Sequence, residues 1–174
     1  MIYIVRHGKT DWNKEGRYQG RIDVDLNSEG VSQAIKIRDK LANIKFDKVF
    51  SSPLKRAYKT AQIICDNDII TDYRLIERCN GKLEGKLKNE IKEKIDFNDP
   101  FNTVMGIESI INFRNRIKLF LDDIVKKYKG ENILIVTHAG VGIYIKCYFE
   151  GEPKDGNYNG YKLKNCEVLK YENT

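Results

Sequence analysis

The chain has 174 residues, a formal net charge of +6 and a pI near 9.0, with 41% hydrophobic and 32% charged residues. That length suits one compact domain, and that apolar content excludes a disordered polymer. No run reaches the roughly 18 apolar residues of a membrane span, and the N-terminus enters a strand at once, leaving no room for a signal peptide, so a cytoplasmic protein with no membrane partner is expected.

In chain order, the β-branched run at 2–5 predicts a buried strand that ends at Arg6-His7-Gly8. An Asn27-Ser28 cap opens a helix marked by Val31, Ala34, Ile35, Leu41 and Ala42. A strand at 47–51 leads into a helix marked by Leu54, Ala57, Ala61 and Ile64, with Pro53 suited to its first position. A short strand at 69–71 precedes Glu77. The stretch 85–106, charged and interrupted by Asp99-Pro100, reads as a short helix and loop inserted over one edge, a candidate lid. A long helix carrying Ile110, Phe113, Ile117, Phe120, Leu121, Ile124 and Tyr128 ends at Gly130. A strand at 132–137, a helix over about 140–149, a surface loop from Gly151 to Gly160 and a strand near 166–171 complete the chain. Such alternation predicts an α/β fold whose mainly parallel sheet is covered on both faces. A single domain over 1–174 without internal repeats is expected.

Two further features bound the partners. Lysines alternate with acids, as in Lys86-Leu87-Lys88-Asn89-Glu90, which is a solvated helix face; with no arginine-rich tract, a small anionic substrate explains the basic bias as well as nucleic acid does. No nucleic-acid partner is expected. Cys65, Cys79, Cys147 and Cys166 lie far apart without a Cys-x-x-Cys pair, as reduced, mostly structural cysteines would.

The only two histidines, His7 and His138, each follow a β-branched run and precede small residues. Function in open α/β sheets gathers at the carboxyl ends of strands, so both imidazoles are expected in one site. Arg6 adds a permanent cation beside His7, Gly8 allows close backbone approach, and Asn13 is placed to donate a hydrogen bond if the chain turns at Gly16, Gln19 and Gly20. Lys55 and Arg56 fall in the first turn of a helix, the wrong end for cations, a cost that a bound anion would remove. His138, Ala139 and Gly140 open another helix with backbone N–H groups uncovered. A phosphate held by Arg6, Arg56 and His138 is the simplest common ligand. With no Gly-x-x-x-x-Gly-Lys-Ser/Thr loop and no Asp-x-Asp pair, metal-free phosphoryl transfer without a cofactor is the expectation. His7 would be the nucleophile, the cations would stabilise the charge on the transferred group, and Glu77 is one of several nearby carboxylates able to serve as the acid.

Arg6-His7-Gly8-Lys9-Thr10-Asp11-Trp12-Asn13 resembles the signature of the histidine phosphatase superfamily, the phosphoglycerate mutase family. Gly16-Arg17-Tyr18-Gln19-Gly20, Asp25 to Gly30, Ser51 to Ala57, Leu75-Ile76-Glu77, Leu83-Glu84-Gly85, Gly106-Ile107-Glu108-Ser109, Thr137 to Gly140 and Asn165-Cys166 follow in the family's order. The resemblance implies a three-layer α/β/α sandwich with an antiparallel edge strand. It implies a phosphorylated His7, pocket residues Arg6, Arg56 and His138, a phosphate contact at Asn13, an acid-base at Glu77, and substrate contacts at Gln19, Gly20 and Ala139. Lys9, Leu83 and Cys79 depart from the pattern, with Lys9 either exposed or an extra cation near the substrate's tail. The short 85–106 segment favours an open pocket and hence a phosphomonoesterase for a small phosphorylated metabolite, similar to α-ribazole phosphatase and broad-specificity acid phosphatases. The alternatives are a cofactor-dependent phosphoglycerate mutase, a non-catalytic phosphometabolite- or phosphoprotein-binding module, and a two-histidine ribonuclease. A monomer or homodimer is expected.

Overall fold

Alternation along the central strands decides the layering. In a computed structural model, which describes residues 1–92, 95, 99, 101 and 103–173, strand β1 (Ile2–Arg6) turns Ile2 and Ile4 to one face and Tyr3 and Val5 to the other. Strand β4 (Ile133–Thr137) does the same with Ile133 and Ile135 against Leu134 and Val136. Both faces are apolar, so each needs a helical cover. Helices α4 (Ile110–Lys127) and α5 (Ala139–Glu150) supply one, through Phe113, Ile117, Phe120, Leu121, Val141 and Ile145. The other face is packed by α2 (Ser28–Leu41) and α3 (Lys55–Ile64), through Leu41, Ala57, Ala61 and Ile64.

With β2 (Lys48–Ser51), β3 (Ile69–Thr71) and β5 (Val168–Tyr171), the sheet runs β3-β2-β4-β1-β5. All pairings are parallel except that of β5 with β1, so the antiparallel strand lies at an edge as expected. The strands that carry the histidines are therefore central neighbours, in register from Ile2 opposite Ile133 to Arg6 opposite Thr137. Parallel pairing brings their carboxyl ends out together. The short helix α1 (Asp11–Glu15) follows, closed by a capping box between Thr10 and Asn13 and ended by Gly16 at φ 75°.

Three expectations need correction. Pro53 is not the first residue of α3: Leu54 is its N-cap, in extended conformation, so Pro53 belongs to the turn before it. The candidate lid at 85–106 lies in part outside the described residues; its described parts include 3-10 turns at Lys88–Glu90 and Val104–Gly106. The segment from Gly151 to Gly160 is more than a surface loop, since Gly156 to Asn159 line the cavity described below. Among the described residues, no helix is long and apolar enough to cross a membrane.

Candidate active site

Past the end of β1 the chain is pinned from several sides. The N–H of His7 donates to Thr137 O at 2.9 Å, and the Asn165 side chain donates to His7 O at 2.9 Å. Gly8 donates to Thr60 Oγ1 at 3.0 Å. A Cβ on Gly8 would sit 2.5 Å from Gly30 O, and one on Gly30 would sit 2.1 Å from Lys9 O. Backbone thus packs on backbone where α2 begins, which only glycine permits.

The His7 ring is fixed by its own loop. Nδ1 lies 2.7 Å from Gly8 O, a pure acceptor, so Nδ1 carries the proton and Nε2 keeps its lone pair. Burial, followed by the charges of Arg56 and Arg6, holds the His7 pKa well below 6.5. The ring is 3% exposed and neutral, with a free lone pair at the wall of a cavity of about 650 Å³.

Two guanidinium groups line the same cavity. Arg6 donates from Nη1 to Leu163 O at 2.7 Å. Arg56, only 1% exposed, donates to Ile22 O at 2.8 Å and Gly20 O at 2.7 Å. The buried Nε of each has no hydrogen-bond partner among the described residues. Burial lowers both pKa values, that of Arg56 to about 10. Such partly dehydrated, partly satisfied cations gain strongly from an anion. Arg56 thus lines the cavity, whereas Lys55 does not. Asp23 accepts the Lys55 N–H at 2.7 Å and approaches its Nζ at 3.6 Å, so the protein's own carboxylate occupies that helix start.

His138 caps α5 and lies wholly buried, its ring 5.2 Å from that of His7. Its Nε2 is 2.7 Å from Ser52 Oγ, while its Nδ1 has no partner among the described residues. Burial, Arg56, His7 and Arg6 together keep it neutral. Ala139 and Gly140 line the cavity. The Gly140 N–H, expected to be uncovered, donates to Glu77 Oε2 at 3.1 Å, and a Cβ there would strike Glu77 Oε1.

Asn13, Gln19 and Gly20 also line the cavity. The oxygen of Asn13 accepts the Thr10 N–H at 3.2 Å and the Asn165 amide at 3.3 Å, so its NH₂ group is what it offers a ligand. Gln19 accepts from Thr10 Oγ1 at 3.1 Å. Gly20, at φ 51°, turns its carbonyl to Arg56 and abuts Glu84.

Glu77 sits in a frame that the sequence reading did not resolve. Its carbonyl accepts from Arg116 at 3.1 Å and Arg21 at 3.3 Å. Both arginines also hold Glu108, at 2.9 and 3.0 Å from Arg116 and 3.1 Å from Arg21. Burial alone would raise the Glu108 pKa, but the hydrogen bonds and charge of Arg116 and the charge of Arg21 outweigh it and hold it low. The only cue in the sequence was Glu108 within Gly106-Ile107-Glu108-Ser109.

The rim was the least legible part. Arg17, Tyr18 and Lys88 border it on one side, and Asn157, Tyr158 and Lys162 on another. Lys9 pairs with Glu29 at 2.9 Å on the surface, away from the cavity. Cys79 also lies off the cavity wall, its Sγ 3.6 Å from Gly106 O.

Residues 2–174 match the family model described as histidine phosphatase superfamily, branch 1. The chain is 38% identical over 157 residues to phosphoglycerate mutase-like protein 4 of Arabidopsis thaliana, covering 80% of this chain and 66% of that protein. It is 37% identical over 160 residues to the metal-independent phosphoserine phosphatase of the same plant, covering 83% of this chain and 67% of that one. It thus spans about two thirds of the length of these relatives. The phosphoserine phosphatase of Entamoeba histolytica, solved with 3-phosphoglyceric acid, superposes with a TM-score of 0.79 at 28% identity, over 96% of this chain and 87% of that one. With two histidines meeting at adjacent strand ends and a match over nearly its whole length, this chain belongs to branch 1 of the histidine phosphatase superfamily.

Proposed function

We propose that the chain is a metal-independent phosphomonoester hydrolase that acts on a small phosphorylated metabolite through a phosphohistidine on His7. The observation that carries this is the His7 ring: neutral, tautomer fixed by Gly8 O, and Nε2 free beside two dehydrated guanidinium groups. In the first step Nε2 attacks phosphorus in line, the ester P–O bond breaks, and the Glu77 carboxyl delivers its proton to the departing alcohol oxygen. Arg6 and Arg56 hold the equatorial oxygens, doing electrostatically what a metal does in other phosphoryl-transfer sites. His138, packed against His7, and the NH₂ of Asn13 complete the cradle. In the second step water attacks phosphorus, its proton passes to the Glu77 carboxylate, the P–N bond breaks, and the lone pair returns to Nε2.

Hydrolysis requires water to reach the phosphohistidine. Lys88, Asn157, Asn159 and Lys162 line the cavity and are solvent-exposed, so its mouth opens outward. That favours hydrolysis over retention of the phosphoryl group for a mutase. Relatives named for phosphoserine support a phosphatase on a compact ester. The four cysteines are unpaired, in keeping with a reducing cytoplasm.

The test is hydrolysis of p-nitrophenyl phosphate from pH 5 to 8 with EDTA present. Turnover that survives chelation and disappears in His7→Ala is expected; wild-type activity in that variant would remove His7 as nucleophile. Conversion of 3-phosphoglycerate to 2-phosphoglycerate primed by 2,3-bisphosphoglycerate, without hydrolysis, would replace the hydrolase reading by the mutase.

A further inference from the structure

Ser52 follows β2 as His138 follows β4, and the two strands are parallel neighbours with Ser51 opposite Val136. Ser52 is wholly buried, and all its polar atoms are engaged. Its N–H donates to Val136 O at 3.1 Å, and its carbonyl accepts from Ser51 Oγ at 2.9 Å. Its Oγ accepts the Leu54 N–H at 3.3 Å and lies 2.7 Å from His138 Nε2. Among the described residues, Oγ has only these two partners.

Hydrogen-bond accounting then decides where the His138 proton sits. The ring is neutral, so one nitrogen carries the proton and the other a lone pair. With the proton on Nε2, Ser52 Oγ would receive two donors, its own hydrogen would lack an acceptor, and the buried Nδ1 lone pair would lack a donor. With the proton on Nδ1, Ser52 gives its hydrogen to Nε2 and takes the Leu54 N–H, so that end of the ring is fully satisfied. One unpaired group replaces two, and buried unpaired groups are costly. The one that remains, the Nδ1–H, is a donor on a ring whose centre is 5.2 Å from that of His7. A neutral donor so close to the nucleophile is the complement of a phosphoryl oxygen.

We infer that Ser52 is a positioning residue for phosphoryl transfer: its hydroxyl holds His138 in the Nδ1–H tautomer, and that N–H donates to the phosphoryl group as it passes to His7. The inference rests on His7 being the nucleophile, as in the proposed function. In the opposite tautomer Nδ1 would present a lone pair, and a donor to the transferred group would become a repulsion. Both histidines then carry their proton on Nδ1, His7 through the carbonyl of Gly8 and His138 through the hydroxyl of Ser52.

With only two histidines in the chain, nitrogen NMR of the imidazole-labelled protein reads the tautomers directly. Nε2 couples to both carbon-bound ring protons and Nδ1 strongly to one, and the nitrogen that bears the proton resonates well upfield of the bare one. At pH 7.5 without phosphate, both rings of the wild-type protein should show a protonated Nδ1, and His7→Ala should leave the His138 set alone. A proton on His138 Nε2 would overturn the inference with no Ser52 variant needed. Inorganic phosphate should shift the His138 Nδ1 signal and leave Nε2 nearly in place; an Nδ1 that ignores phosphate would remove its role as donor. Ser52→Ala should mix the two tautomers and lower kcat about 10–100-fold, somewhat less than loss of a whole transition-state donor. Ser52→Thr, which keeps the hydroxyl, should restore the Nδ1–H form and most of kcat. A tautomer unchanged in Ser52→Ala would take the task away from Ser52, whatever happened to its stability. Turnover of p-nitrophenyl phosphate is measured separately. The expected spectra without turnover would sink the hydrolase reading and leave the tautomer standing, whereas turnover with a protonated Nε2 would do the reverse.

Discussion

The floor and the rim of the cavity are built on opposite terms. The floor comes from the ends of two central strands and the start of α3, and its side chains are nearly all buried, with His138 and Arg56 at 0% and 1% exposure. Each group there is fixed by backbone: His7 by Gly8 O, Arg6 by Leu163 O, Arg56 by Gly20 O and Ile22 O. The rim comes from loops at 17–20, 80–88 and 156–162, where lysines are steered by a ring or an amide and end in solvent. Rigid, dehydrated groups suit the making and breaking of bonds to phosphorus, because their electrostatic effect costs no reorganisation. Exposed, adjustable groups suit the choice of ester. The difference separates what the enzyme does from what it does it to.

The comparison breaks most sharply at Arg56. Arg56→Ala should cost on the order of 10²–10³ in kcat, as for loss of one transition-state donor; steady-state kinetics giving less than tenfold would move it out of the floor. Gly8→Ala comes next. The new Cβ would stand 2.5 Å from Gly30 O with backbone on both sides, so a loss of about 1–3 kcal/mol is expected, visible as a fall of several degrees in Tm. An unchanged melting curve would mean that α2 yields freely at this contact.

A subtler probe is pH. His7 and His138 stay neutral in the fold, with pKa values well below 6.5, while in the unfolded chain they titrate near 6.5. Below that pH the unfolded chain takes up protons that the fold refuses, so stability falls as pH falls. The expected slope is up to about 1.4 kcal/mol per pH unit for each histidine, until the folded-state pKa values are reached. Urea melts at pH 7 and 5.5 in phosphate-free buffer check it, and equal stability at both would remove the neutral pair. Lys9→Ala should have the smallest effect. Its ion pair with Glu29 is on the surface, so a change within about 0.5 kcal/mol and unaltered kinetics are expected. A selective loss on one class of ester would bring Lys9 back to the rim.

Legibility in the sequence followed the same division. Strand runs ending in His7 and His138 carry a signal of period and composition that survives without coordinates, and their pairing followed from the way parallel sheets expose strand ends. Arg56 was readable because a cation in the first turn of a helix asks for an explanation. The same rule misled for Lys55, since Asp23, 32 residues earlier, supplies the anion at that helix start. The helix start was misplaced by two residues, at Pro53 instead of Lys55, because Ser52 Oγ takes the Leu54 N–H and delays the helix. The frame of Arg21, Glu108 and Arg116 around Glu77 was invisible, because it is made of charged residues that sequence patterns assign to solvent. The tail loop escaped for a related reason. Gly156, Asn157 and Asn159 have the composition of any turn, and only the fold of α5 back over the sheet brings them to the cavity.

The buried Nε atoms of Arg6 and Arg56 bear on the end of the catalytic cycle as well as its start. Orthophosphate is an anion of the same shape and charge as the group it came from, and the alcohol carries none of those contacts away with it. What captures the ester therefore also detains the product. For the proposed hydrolysis this predicts competitive inhibition by orthophosphate at the same two guanidinium groups.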